Sequence, residues 1–228
     1  MRGIVGLAGA CSILVLVLVP PGVADAPSGP KQLTLAATRA QVTFGQEIKL
    51  TGDLTGGYFS YLTIRASEFP FSSSRPLPIP AVTDHNGHFE MKVKPRRNTI
   101  YTATFPGTDP PSQSNPAIVF TDLAFRGAIY GTGSRLRVRL SVNGPADAKL
   151  AGRMTFIYLY RAARRLAVRV GQHRLAGNRD GHGHARIPLR GPRRRHGDYF
   201  FYCLRERQDD GFGKPDPLDA ECGHRVLR

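Results

Sequence analysis

The sequence predicts an all-β protein made of two sandwich domains in tandem, behind an N-terminal export signal. Three observations support this: an apolar leader, short alternating runs broken by Gly, Pro, Asn and Asp, and a second half that repeats the order of the first. From Leu33 onward, no stretch of the sequence keeps apolar residues at helical spacing for three turns. Removal of the leader would leave about 200 residues, enough for two cores of roughly 100 residues each.

Residues 1–26 are predicted to be a signal peptide with its cleavage region. A basic start is followed by an apolar run over residues 4–19, and Pro20-Pro21-Gly22 ends this run before small residues. Cleavage after Ala24 is favoured over cleavage after Ala26, because a proline follows the latter. A retained anchor is the alternative, but the apolar run is shorter than the roughly 20 residues that a spanning helix needs. The mature chain is therefore expected to be secreted or otherwise extracytoplasmic, possessing no transmembrane segment.

Residues 27–122 are predicted to form the first sandwich. Asn86-Gly87 predicts a tight turn between two of its strands, because this dipeptide tolerates positive φ. Its strands each have one apolar face, which is expected to point inward: Ile48, Leu50 and Leu54; Leu62, Ile64 and Ala66; Phe89, Met91 and Val93; Tyr101, Ala103 and Phe105.

Residues 123–228 repeat this order and are predicted to form the second sandwich. The turn Asp180-x-x-Gly183-His184-Ala185 parallels Asp84-x-x-Gly87-His88-Phe89 of the first half. This correspondence indicates an internal duplication and places the domain boundary near Thr121-Asp122. The corresponding apolar runs are Leu136, Val138, Leu140 and Val142; Phe156, Tyr158 and Tyr160; Leu166, Val168 and Val170; Ala185, Ile187 and Leu189.

The segments Phe44 to Gly52 and Thr83 to Phe89, continuing to Asn98-Thr99-Ile100-Tyr101, resemble immunoglobulin-like repeat modules of exported bacterial proteins. In those modules a Gly precedes the second strand, an Asp/Asn-Gly turn joins two later strands, and a Tyr opens the penultimate strand. The second half departs from this pattern in its Arg enrichment, its Cys pair and its lack of an Asn-Thr-x-Tyr run. The resemblance implies two tandem immunoglobulin-like β-sandwich domains and an exported address, but no activity.

Positive charge is concentrated in the second half of the chain. Of the formal net charge of +15, residues 27–122 carry 9 Lys and Arg against 7 Asp and Glu, whereas residues 123–228 carry 22 against 9. Of those 22 basic residues, 20 are Arg, whose forked guanidinium group suits phosphate and carboxylate groups.

These arginines predict a basic sheet face that binds an anionic polysaccharide or a lipid headgroup. Its predicted members are Arg135, Arg137 and Arg139 on one strand, Arg186 and Arg190 on a neighbouring strand, and Arg193, Arg194 and Arg195 in a nearby loop. The alternative is an Arg-rich composition whose charges are neutralised by Asp147, Asp209 and Asp210. Nucleic acid is disfavoured, because export argues against it and these strands lack interleaved aromatic residues.

Two cysteines remain once Cys11 is removed with the leader. Cys203 and Cys222 are expected to form a disulfide, which contributes roughly 3 kcal/mol when it closes a loop of about 20 residues. The enclosed 204–221 loop is a candidate surface for a protein partner. Its carboxylates also suit calcium, although a solvated acidic loop facing the Arg-rich sheet explains them equally well: Asp209, Asp210, Asp216, Asp219 and Glu221.

No enzyme or cofactor is predicted. His182, His184 and Asp180 are weak metal candidates, and a polar glycine-rich hairpin is the favoured interpretation of this segment. The sequence contains no Gly-x-Ser-x-Gly nucleophile motif. The predicted function is an exported, non-catalytic binding or adhesion module, secreted or associated with the cell envelope. The alternatives are a purely structural spacer of the envelope and an unrecognised secreted hydrolase.

The strand around Tyr158 and Tyr160 is apolar on both faces, because Ile157 and Leu159 alternate with the tyrosines. One face is expected to fill the core of the second sandwich. The other is expected to pack against the first domain or against a partner.

Overall fold

The computed structural model describes residues 31–132, 135–177, 181–190, 195–205, 210–213 and 220–222. The predicted signal peptide and its cleavage region lie outside these residues. Within them the chain is all-β, as predicted, with helix confined to short 3₁₀ turns such as Ala162–Arg164. No helix among the described residues is long and apolar enough to cross a bilayer.

The first half forms two facing sheets. The smaller sheet contains β1 (Ala36–Ala37), β3 (Ile48–Asp53) and β7 (His88–Val93), in the order β1-β3-β7. The larger sheet contains β2 (Gln41–Thr43), β4 (Tyr61–Glu68), β5 (Arg75–Pro76), β6 (Ala81–Val82), β8 (Thr99–Phe105), β9 (Ser112–Gln113) and β10 (Ala117–Asp122). Its order is β2-β10-β8-β4-β5, with β6 paired to β4 and β9 to β8. Strand β2 runs parallel to β10, and the other pairs are antiparallel.

The second half also forms two sheets, each with four antiparallel strands. The first contains β11 (Ala124–Tyr130), β12 (Arg137–Asn143), β15 (Ala176–Gly177) and β16 (His182–Pro188), in the order β11-β12-β16-β15. The second contains β13 (Met154–Arg161), β14 (Leu166–Arg174), β17 (Tyr199–Arg205) and β18 (Ala220–Cys222), in the order β14-β13-β17-β18.

The strand order identifies both halves as immunoglobulin-like. When the strands of the second half are lettered along the chain, its sheets have the orders A-B-E-D and C′-C-F-G. The first half has A-B-E in one sheet and A′-G-F-C-C′ in the other. An immunoglobulin-like sandwich places A, B, E and D in one sheet and C, F and G in the other. The predicted all-β, immunoglobulin-like fold class is therefore confirmed by the connectivity of the described strands.

Each half has its own core, built from the inward faces of its two sheets. Val138 and Leu140 of β12 and Ile157 and Leu159 of β13 are completely buried, and burial of each such side chain contributes about 1.5–3 kcal/mol. The prediction that Leu166 and Val168 point into the core is wrong, because they are 52% and 42% exposed. Both lie at the start of β14, an edge strand that pairs only with β13 among the described strands.

The two sandwiches are joined with little intervening chain. Leu123 alone separates β10 from β11, and this residue is buried in the core of the second sandwich. The loop at 210–213 also reaches the first sandwich, where the main-chain N–H of Asn98 donates to the carbonyl oxygen of Gly211 at 2.8 Å. The amide of Gly213 donates to the carbonyl oxygen of Thr121 at 2.9 Å.

Charged side chains support the same junction. Arg97 of the first sandwich pairs with Asp147 of the second at 2.9 Å, and its guanidinium group lies over the Phe212 ring at 5.5 Å. Burial alone would raise the pKa of Asp147, but the hydrogen bond and charge of Arg97 outweigh it and hold this pKa below its ordinary value. Arg153 forms a buried ion pair with Asp210 of this loop.

Candidate functional site

The outer face of β12 carries the predicted arginines. Arg137 and Arg139 are exposed, and they alternate with the buried Val138 and Leu140. Arg139 lies directly opposite the exposed Arg186 of β16, and directly opposite residues of an antiparallel pair project from the same face. The structure therefore brings these three predicted arginines together on one sheet face.

A fourth arginine completes this surface. Arg126 of β11 is exposed, and its Cα partner on β12 is Ser141, two residues from Arg139 on the same face. Tyr130, also on β11, contacts the same surface, since the Arg139 guanidinium group lies 5.6 Å from its ring centre. We refer to the surface formed by Arg126, Arg137, Arg139 and Arg186 as the basic face.

Within the described part of the chain, no carboxylate pairs with the side chains of the basic face. Asp147 instead pairs with Arg97, and Asp210 pairs with Arg153. Neutralisation of the basic face by these two carboxylates is therefore wrong, whereas Asp209 lies outside the described residues. Like charges held opposite one another across strands are destabilising, so this surface carries an unfavourable electrostatic energy that an anion would relieve.

Arg135 and Arg190 lie outside strands β12 and β16. Arg135 is exposed in the turn that precedes β12, and its amide donates to the carbonyl oxygen of Thr132 at 3.0 Å. Arg190 was expected on the same strand as Arg186, but its amide donates to the carbonyl oxygen of Val170 on the other sheet at 2.9 Å. The prediction is wrong for Arg190, because β16 ends at Pro188 and the chain then crosses between the sheets.

Arg195 lies just before β17, in the sheet that does not carry the basic face. Its amide donates to the Asp198 carboxylate at 3.0 Å, and Arg161 pairs with the same carboxylate at 2.9 Å. Arg195 is thus not part of the basic face, contrary to the prediction. Arg193 and Arg194 lie outside the described residues.

The two candidate metal-binding histidines lie on the same surface as the basic face. His182 and His184 are both exposed, and they pair with Asn143 and Ser141 of β12. The Nδ1 atom of His182 lies 2.6 Å from the Oδ1 atom of Asn143. No group of three His, Cys, Asp or Glu residues suited to a metal ion occurs among the described residues, and Asp180 lies outside them.

The structure corrects the alignment of the two halves at this turn. Gly87 precedes β7 with φ of 84°, and Gly181 precedes β16 with φ of 71°. His88 then contacts Asp53 at 2.9 Å, as His182 contacts Asn143. The equivalent of Gly87 is thus Gly181 rather than Gly183, because only Gly181 has the left-handed conformation that such a turn requires.

The cysteine pair and its loop have different environments. Cys203 of β17 and Cys222 of β18 are Cα partners on adjacent antiparallel strands, which places their main chains beside each other. Residues 210–213 of the enclosed loop are buried, and three of them, Asp210, Gly211 and Gly213, hydrogen-bond to the first sandwich. These four residues are thus not available as a surface for a partner. The prediction of a partner surface applies only to the rest of the 204–221 loop, which stays untested.

Sequence reasoning missed an aromatic surface on the other sheet. Tyr158 stacks on Phe201 at 5.2 Å between ring centres, and Tyr160 stacks on Tyr199 at 4.9 Å. All four rings are half-buried. The outer face of β13 is thus covered in part by rings of β17 in its own sandwich, where packing on the first domain or a partner was expected. Tyr199 and Phe201 alternate with the buried Phe200 and Tyr202, and this pattern was the signal in the sequence.

Comparisons with known proteins identify no family for this chain. No protein-family model and no curated protein matches it. Among solved structures, two chains described as a marsupial T cell receptor have TM-scores of 0.29 at 9% and 8% identity. They cover 84% and 86% of this chain, and 99% of their own length. A third chain with this description has a TM-score of 0.35 at 11% identity, over 78% of this chain and 61% of its own. At such scores these likenesses establish nothing further.

Proposed function

We propose that the protein is an exported, non-catalytic binding module whose basic face holds an anionic polymer or lipid headgroup of the cell envelope. One observation carries this proposal. Arg139 and Arg186 face each other across adjacent strands, exposed and without a carboxylate partner among the described residues. Repeated phosphate, sulfate or carboxylate groups would accept forked hydrogen bonds from such arginines and remove their mutual repulsion.

The location of the protein outside the cytoplasm is part of the proposal. The N-terminal leader and the resemblance to immunoglobulin-like modules of exported bacterial proteins both support a site outside the cytoplasm. The opposition of Cys203 and Cys222 supports a disulfide, which persists in an oxidising compartment. The exposed charges of the basic face support electrostatic, salt-sensitive binding.

Salt elution from an anionic matrix tests the proposal. A variant with Arg137, Arg139 and Arg186 changed to Ser is expected to elute from immobilised dextran sulfate at lower salt than the unmodified protein. It should also bind phosphatidylglycerol vesicles more weakly. The two matrices distinguish a polymer from a headgroup as the preferred source of the anion.

A charge-matched variant serves as the control. Arg164, Arg169 and Arg174 are exposed on or beside β14, in the other sheet, and their change to Ser removes the same net charge. This variant is expected to elute close to the unmodified protein. Equal early elution of both variants would show that net charge, not the basic face, governs binding. Unchanged elution of both would contradict the proposal and favour the structural spacer.

A further inference from the structure

Three aromatic side chains project from one end of the first sandwich. Tyr58, Phe59 and Tyr61 are 66%, 69% and 68% exposed, and Val82, the Cα partner of Tyr61, is 47% exposed. We refer to these four residues as the aromatic tip. Apolar side chains exposed together in this way mark an interaction site more often than a single exposed residue does.

The aromatic tip lies at the end of the first sandwich remote from the second. Strand β4 begins at Tyr61 and ends at Glu68, which pairs with Thr99 at the start of β8. Thr99 directly follows Asn98, whose side chain bonds to the second sandwich. The aromatic tip is therefore free to meet a surface without interference from the junction.

The tip is held in one conformation by the neighbouring turn. Thr83 is buried, and its Oγ1 atom accepts a hydrogen bond from the Ser60 amide at 2.8 Å and donates one to the carbonyl oxygen of Gly57. The Phe59 amide donates to the carbonyl oxygen of Asp84 at 3.3 Å. Binding through this loop would therefore require little ordering of the main chain.

Phe59 has a left-handed main chain, with φ of 45°. This conformation is unfavourable for a bulky side chain, and such strain persists only where surrounding contacts impose it. Here the strain keeps an apolar ring outside the protein. No gain in packing among the described residues offsets it, because Phe59 is 69% exposed.

We propose that the aromatic tip inserts into the interface of a lipid bilayer. Small-molecule sites are concave, and stable protein interfaces usually involve about 20–30 residues on each side, whereas this tip protrudes and involves four side chains on two segments. Tyrosine rings, with an apolar body and a polar end, are enriched where membrane meets water. Two tyrosines flank the more apolar Phe59, as this placement requires.

The charged groups beside the tip are engaged by contacts within the first sandwich. Lys31 donates to the carbonyl oxygen of Gly56 at 2.7 Å, which places a cation next to the tip. The two neighbouring carboxylates already have partners, because Asp53 pairs with His88 and Asp84 accepts hydrogen bonds from the amides of Asn86 and His88. Insertion is independent of the basic face, which lies on the other sandwich.

Tryptophan fluorescence tests the proposal directly, because the sequence contains no Trp. A Phe59→Trp variant is expected to show a blue shift with phosphatidylcholine vesicles at high salt, where attraction through the basic face is screened. Lipids brominated near the headgroup should quench this emission. The matched control is Phe71→Trp, since Phe71 is also exposed and left-handed, with φ of 65°, but lies beyond the other end of β4.

Vesicle flotation gives an independent readout. Each of Tyr58→Ser, Phe59→Ser and Tyr61→Ser is expected to lower the partition coefficient about tenfold, whereas Phe71→Ser should leave it unchanged. Circular dichroism would establish that the variants fold. The proposal is overturned if Phe59→Trp shows no blue shift with vesicles. It is also overturned if Phe71→Trp responds equally, or if Phe59→Trp responds only to a protein fraction.

Discussion

The side-chain amide of Asn98 in the first sandwich donates a hydrogen bond to the carbonyl oxygen of Gly213 in the second, at 2.8 Å. Its Oδ1 atom accepts one from the Thr121 amide, also at 2.8 Å. Asn98 thus serves two buried main-chain groups, one on each side of the junction.

An Asn98→Ala variant is expected to lose about 1–3 kcal/mol of unfolding free energy, because it leaves these main-chain groups buried without that partner. Urea unfolding followed by circular dichroism measures the loss. Asn115→Ala is the matched control, since Asn115 is exposed, and it should change stability by less than about 0.5 kcal/mol. Equal effects of the two substitutions would mean that Asn98 does not stabilise the junction.

The buried pair of Arg153 and Asp210 predicts strong non-additivity. Asp210→Ala removes this carboxylate from the guanidinium group of Arg153, which is 2% exposed. The variant is therefore expected to lose about 3–5 kcal/mol of unfolding free energy. Adding Arg153→Met should restore much of that loss, because the uncompensated charge is then removed. Thermal unfolding of both single variants and the double variant measures the coupling. Additive losses would argue against a buried pair.

The stability of the protein is expected to fall in acid, in part through Asp198. The hydrogen bond from the Arg195 amide holds the pKa of this carboxyl below its ordinary value, and the Ala162 amide and Arg161 add to the effect against opposition from burial. Because the folded-state pKa is depressed, the stabilisation is present above the unfolded-state pKa and is lost as pH falls through the folded-state value.

Asp198→Asn should therefore flatten the dependence of unfolding free energy on pH between about pH 5 and pH 2. Urea titrations at several pH values would show this. Asp109→Asn changes an exposed carboxyl group in the first sandwich and should leave the dependence as it was. An Asp198→Asn curve parallel to that of the unmodified protein would refute the assignment.

Two glycines with the same main-chain conformation should respond differently to substitution. Gly45 and Gly87 have φ of 85° and 84°. A Cβ atom at Gly45 would meet nothing within 4 Å, whereas one at Gly87 would lie 2.3 Å from the carbonyl oxygen of Leu54. Gly45→Ala is expected to lose about 1 kcal/mol of unfolding free energy, because alanine is unfavourable at its left-handed φ. Gly87→Ala should lose about 3 kcal/mol or more, because the steric clash adds to this cost. Calorimetric melting of both variants separates the effect of main-chain strain from that of a steric clash.

Cys203 and Cys222 are expected to form a disulfide in the exported protein. Alkylation followed by mass spectrometry should then modify neither residue before reduction and both after it. Cys203→Ser should lose about 3 kcal/mol, because the unfolded chain is no longer closed into a loop of about 20 residues. Alkylation of both thiols without reduction would contradict this prediction.

The alternation in β12 predicted the buried face and two exposed arginines correctly, because each depends only on the period of two along one strand. Arg126 could not be found in this way. It belongs to the basic face only through the pairing of β11 with β12, and Phe125 and Gly127 on either side of it are half-buried and give no clear alternation.

Arg190 was misplaced for a related reason. In the sequence the alternation continues past Pro188, whereas the chain changes sheets there. Which sheet receives the chain depends on distant residues such as Val170. Burial of residues 210–213 likewise depends on Asn98 and Thr121, which lie about a hundred positions earlier in the chain. The local sequence pattern predicts which face of a strand is buried, but it does not predict which other strands or loops pack against that face.

Leu123 is buried and lies between β10 and β11, each of which is paired within its own sheet. This position determines how the protein should respond to proteolysis. Proteases cut exposed segments that unfold locally, and boundaries between modules usually supply them. Here the boundary offers no such segment, so limited digestion should spare it and cut first at exposed loop tips. A half-length fragment would then be a sign of prior unfolding, not of a hinge.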